Sequence, residues 1–166
     1  MKKILLLFII AFTTMIVRAQ EVDSLECNQV NIDSLSAKCD KLQHDYDFLS
    51  CKFELSQVNQ KLDYMGNNLN ISSNAILINC YHGGYNRKLY AAYKENYLSS
   101  VEWYEVMSEN AKSVKTFVLL KIKASKFTED EVELLMNSVN LVEKGLSRIE
   151  SALDYYETVL SMYRDL

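Results

Sequence analysis

Apolar residues recur along this chain at alternating steps of three and four in three long stretches. The last is the most regular. Val132, Leu135, Val139, Val142, Leu146, Ile149, Leu153, Tyr156, Leu160 and Tyr163 form an unbroken apolar series. That spacing is the heptad seam of a helix packed lengthwise against others. It predicts a helix over 128–164, about 54 Å long at ~1.5 Å per residue. Thr128 and Glu131 have the spacing of a capping box, with Phe127 and Val132 at the hydrophobic-staple positions. Glu129, Asp130 and Glu131 place negative charge at the positive end of the helix dipole.

A second stretch predicts a helix over 86–126, capped by Asn86. Its seam is Tyr90, Tyr93, Tyr97, Ser100, Tyr104, Met107, Ala111, Val114 and Val118. A flanking stripe of Trp103, Val106, Phe117, Leu120 and Ala124 widens the apolar face. Lys112, Lys115, Lys121, Lys123 and Lys126 lie towards its end and would face the acidic opening of the last helix. With almost no linker between them, the two helices are expected to form a hairpin.

The third stretch carries two seams. One runs Ile32, Leu35, Cys39, Leu42, Tyr46, Leu49, Phe53; the other runs Phe48, Cys51, Leu55, Val58, Leu62, Met65, Leu69. The handover near residue 50 breaks the heptad count. The simpler reading is a single wide apolar face on a bundle helix; the other is a change of packing partner. A helix over 21–65 is expected, ended by Gly66 and by Asn67, Asn68 and Asn70. A short helix over 73–82 follows, with the pair Gly83-Gly84 breaking the chain before residue 86.

The pattern therefore predicts an all-α protein, an elongated antiparallel bundle or coiled coil of three long helices plus one short one. The absence of proline and the presence of only four glycines agree with it, since nothing interrupts long helices and little favours tight-turned sheet. Residues 20–166 make one domain's length.

Residues 1–19 read as an export signal. Lys2 and Lys3 form the positive n-region, Ile4 to Val17 the apolar run, and Val17 and Ala19 the −3 and −1 cleavage positions. The run is shorter than the ~20 residues that span a bilayer, so a periplasmic or extracellular product with no stable membrane insertion is expected. Losing Lys2, Lys3 and Arg18 leaves 15 of the 18 basic residues against 22 acidic ones, a net charge of −7. That balance argues against nucleic-acid binding.

Cys27, Cys39, Cys51 and Cys80 all fall in the exported part, and an oxidising compartment suggests disulfides. A turn near Gly66 would bring Cys51 opposite Cys80, the intrachain pair expected here. Cys39, on a seam, would be placed to cross-link two parallel copies; the alternative is that the cysteines stay free and fill apolar positions. His44, Cys51, Cys80 and His82 are zinc-ligand types. However, His44 and Cys51 stand seven residues apart, ~10.5 Å along a helix, too far to share one ion. No metal or cofactor is expected.

Two histidines and none of the nucleophile-elbow, P-loop, zinc-protease or dinucleotide patterns leave no catalytic residue to name and no enzyme to expect. The eleven tyrosines read mainly as core with hydroxyls at its rim. The exception is Tyr81, His82, Gly83, Gly84 and Tyr85, a break flanked by aromatics and the best candidate for a contact loop. The function that fits is an exported structural or adaptor protein of the cell envelope. It would bind protein partners through helix–helix contacts, a second copy of itself among them. The alternative is a soluble periplasmic subunit of a secretion or conjugation machine, or a holding chaperone.

Overall fold

A computed structural model describes residues 25–166, with side chains from residue 32 onward. The expected export signal at 1–19 lies outside the described residues. The described chain is all-helical: α1 spans Leu25–His82, α2 Arg87–Ala124 and α3 Glu129–Arg164. Its described residues divide into two units, 25–43 and 44–166.

In the first unit, every side chain from Ile32 to Gln43 is exposed. The second unit is a three-helix bundle. Its directions follow from the pairs that join the helices. Near the start of this part of α1, Asp47 meets Lys121 and Ser125 of α2 at 2.8 and 2.9 Å. Further on, Asn79 meets Tyr93 at 2.7 Å, so α1 and α2 run antiparallel. Tyr156 of α3 donates to the Tyr93 carbonyl at 3.0 Å, and Lys115 pairs with Glu143. Thus α2 and α3 are also antiparallel, as the expected hairpin requires. His44 with Glu131 and Asp63 with Arg148 set α1 parallel to α3.

Each seam finds its place differently. Eight of the ten α3 seam residues are buried, and Val132 and Leu146 are half-buried. In α2, Met107, Ala111, Val114 and Val118 are buried, while the tyrosines before them are half-buried. The expected flanking stripe is mostly outside: Trp103, Val106, Leu120 and Ala124 are exposed. The second α1 seam is buried from Cys51 to Leu69, and its first residue, Phe48, is half-buried. The first is not: Tyr46, Leu49 and Phe53 are exposed although they lie within the bundled part of the helix. The handover near residue 50 is therefore a change of face rather than one broad apolar face.

One boundary expectation fails. No separate helix exists at 73–82, and α1 does not end at Gly66; it continues to His82. Glycine in a helix interior costs about 0.5–1 kcal/mol relative to alanine. Leu62, Met65, Leu69 and Ile76, all buried across that point, outweigh it, at about 1.5–3 kcal/mol per buried large aliphatic side chain. Ser73 occupies a core position between them and satisfies its hydroxyl on the Leu69 carbonyl at 2.8 Å.

The chain breaks where expected afterwards. Gly84 takes φ +64°, a left-handed conformation that favours glycine. The Asn86 side chain accepts from the backbone N–H groups of Lys88 and Leu89. The Thr128–Glu131 capping box is present in both directions. Phe127, however, packs edge-on against His44 and Phe48 of α1, at 5.4 and 6.0 Å between centroids. It thus ties the hairpin turn to α1.

Candidate functional site

The residues expected to carry function fall into three places. The first is the end of the bundle at 81–86. Tyr81 and His82 close α1, and Gly83, Gly84 and Tyr85 form the connection. Gly83 N–H donates to the Asn79 carbonyl at 3.0 Å. Tyr85 stacks at a tilt near Tyr90 and Tyr163, with centroids 6.0 and 5.8 Å away. The Asn86 N–H donates to the Tyr163 hydroxyl at 3.0 Å. The connection therefore helps to close the core. Tyr81 is the most outward of its aromatic rings, 75 % exposed, with His82 and Tyr85 exposed as well.

Behind it lies a polar-tipped aromatic layer. Asn79 donates to the Tyr93 hydroxyl, and Asn96 donates to the Tyr156 hydroxyl at 3.3 Å. Tyr97 and Tyr156 lie 5.6 Å apart at the same level. Burial first raises the Tyr156 and Tyr97 hydroxyls above their ordinary range; for Tyr97 the neighbouring carboxylate of Glu157 adds to it. Tyr104 goes further, to about 12, through burial and then its bond to Glu150 at 2.5 Å. Protonated phenols of this kind hold helices together and are poor bases.

The second place holds the cysteines. Cys51 and Cys80 are free thiols on the same uninterrupted helix. Twenty-nine residues of helix separate them, ~44 Å at ~1.5 Å per residue, against the ~4.4–6.8 Å between Cα atoms that a disulfide needs. The expected pairing is not formed, because the turn at Gly66 that would have folded one onto the other is absent. Cys51 is fully buried, and its thiol is pushed up by burial and then by the charge of Asp47. That charge is compensated: Asp47, itself buried, pairs with Lys121, which stays protonated above its ordinary range mainly through this bond. The lysine-rich end of α2 thus reaches α1 through Lys121, whereas Glu131 turns to its own Thr128 cap and to His44 at 3.2 Å. The backbone N–H of Thr128 is the main reason its carboxyl is held low.

The zinc-ligand types His44, Cys51, Cys80 and His82 are strung along α1. Among the described residues, no group of three or more His, Cys, Asp or Glu side chains could hold a metal ion. Two open grooves flank α1. One follows α3 past the exposed Asp63–Arg148 pair; the other follows α2 past Tyr64 and Trp103.

The third place is two exposed apolar series on α1, one in each unit. Ile32, Leu35, Cys39 and Leu42 in the first unit are exposed, and so are Tyr46, Leu49 and Phe53 in the second. Further along the bundled part, Tyr64, Ile71 and Ile78 are exposed too. Sequence reading found the first series as a seam but could not say which way it faced. It missed Tyr64, Ile71 and Ile78, whose seven-residue steps carry one apolar residue per heptad. No helix among the described residues is long and apolar enough to cross a membrane. Set against protein-family models, curated proteins and solved structures, the chain matches none.

Proposed function

We propose that this is an exported protein of the cell envelope that works as a structural or adaptor component, binding other protein through helix-to-helix contact. The observation that carries the reading is the exposed series Ile32, Leu35, Cys39, Leu42, Tyr46, Leu49 and Phe53. Single exposed apolar residues are ordinary. A run of exposed apolar residues repeated along one helix is characteristic of an interaction surface, and heptad spacing selects another helix as the thing that covers it. Export rests on the residues of 1–19: two lysines, an apolar run interrupted only by Thr13 and Thr14, and Val17 and Ala19 at the cleavage positions.

The test is site-directed photo-crosslinking in intact cells, with the photoreactive residue at Leu42 or Leu49 and, as control, at the exposed Glu133. Discrete protein adducts from the α1 positions and none from Glu133 are expected, in the envelope fraction and on a chain beginning at Gln20. Absence of adducts at both stripe positions, or retention of the product in the cytosol, overturns the reading.

A further inference from the structure

We infer that the outer stripe of α1 is a self-association seam, and that its occupant is the same stripe of a second copy running antiparallel. This rests on the helix-contact reading above and goes further by naming the partner and its register. In heptad terms Ile32, Cys39, Tyr46 and Phe53 stand at a, and Leu35, Leu42 and Leu49 at d. Apolar residues fill every a and d position over three heptads, and leucine fills every d. In the flanking g positions are Asn31, Lys38, Asp45 and Lys52; in the e positions are Ser36, Gln43 and Ser50.

The flanking charges choose the orientation. In an antiparallel pair, a packs against d of the other chain, and g faces g. Set Cys39 against Leu42 of the second copy. Ile32 then meets Leu49 and Leu35 meets Tyr46, each twice, giving six apolar layers about a twofold axis. The same register sets Lys38 against Asp45 of the second copy, twice. Slide by one heptad one way and Lys38 faces Lys52 while Asp45 faces Asp45. Slide the other way and Lys38 faces Lys38. Only one of these three registers is free of like-charge contacts, and it is also complementary. A parallel pair would set Lys38 beside Gln43 and Asp45 beside Ser50, gaining no charge contact. It would also stack Cys39, Tyr46 and Phe53 each on its own copy. Charge at g and e is the ordinary device by which helices choose partner and orientation.

Among the described residues the hairpin leaves the apolar seam uncovered, while two flanking charges touch their own helix, Asp45 beside His44 at 3.4 Å and Lys52 over the Phe48 ring. The hairpin is packed on the other face of α1, where Asp47, Cys51 and Leu55 are buried while Tyr46, Leu49 and Phe53 are not. Polar substitutions on the stripe therefore leave the core intact.

Sedimentation equilibrium on the chain as the cell processes it reads the prediction. A dimer at micromolar concentration is expected, and L42D should return it to monomer with helix content and melting temperature unchanged. K38E alone, or D45K alone, should each raise the dimer Kd about tenfold by turning attraction into repulsion. The double variant K38E/D45K should restore it. Mild oxidation should link L42C through Cys39 of the other copy, and C39S should abolish that link. A chain that stays monomeric at 100-fold higher concentration, or charge swaps that do not rescue one another, would sink the proposal. A monomer that still gives photo-adducts with a different protein removes the dimer and leaves the adaptor reading standing.

Discussion

Two glycines show how differently the same residue can act. Gly66 sits in the middle of α1 with nothing within 4 Å of where a Cβ would stand. Gly66→Ala is expected to stabilise the bundle by about 0.5–1 kcal/mol, because helix propensity improves and no contact is strained. Gly145 is buried in α3, and a Cβ there would meet Leu62 Cδ1 at 3.0 Å and Leu62 Cβ at 3.4 Å. It lets α1 approach α3. Gly145→Val would overfill that contact and should cost roughly 1–3 kcal/mol. Chemical denaturation of the two variants, followed by circular dichroism, reads both signs; a stabilising Gly145→Val would show that the helices are free to move apart. Asp47 makes a third case. Its carboxylate binds Lys121 and Ser125 from inside the core, so Asp47→Ala removes two charge-assisted bonds from the α1–α2 contact. A loss of about 1.5–3 kcal/mol is expected in the same measurement.

At the scale of the helix, the signals that could be read in the sequence were those settled locally. The start of α3 was legible because Thr128 and Glu131 satisfy one another within one turn. Thr128→Ala should therefore destabilise by about 0.5–2 kcal/mol in a thermal melt, without altering the remaining seam. The Asn86 cap was legible for the same reason. The middle of α1 was not. Gly66 and the asparagines after it are local breakers, but Met65, Leu69 and Ile76 are buried by the distant hairpin, and that long-range burial overrides the local preference. The candidate disulfide was lost with the turn. The direction of each α1 seam was also hidden, because heptad spacing states that a face will be covered and not by what. Only the location of the hairpin showed that Cys51 to Leu69 face inward while Tyr46, Leu49 and Phe53 face out. The tyrosines divided on the same principle: their spacing marked a face, and contacts between helices decided which hydroxyls had partners.

At the scale of the whole bundle, those hydroxyls give the fold a pH dependence with a definite sign. Tyr97, Tyr104 and Tyr156 are all held above the ordinary tyrosine value of 10.0, and Cys51 above 9.0. Each is raised first by burial, which penalises the charged form. Between about pH 9 and 12 the unfolded chain has therefore released protons that the folded chain still holds. Stability must fall with rising pH wherever the folded state binds more protons. The contribution is complete below pH 9 and disappears as pH passes through the folded values, the last of them that of Tyr104 at about 12. The expected result is a melting temperature level from pH 7 to 9 that declines steeply from 10 to 12. Phenolate absorbance should show a late-titrating class that appears together with unfolding. Tyr104→Phe removes the latest group and its bond to Glu150, so it should lower the plateau and flatten the decline between 10 and 12. A melting temperature unchanged up to pH 12, or tyrosines that all titrate near 10 in a folded chain, would mean that the aromatic layer is open to solvent and does not hold the helices together.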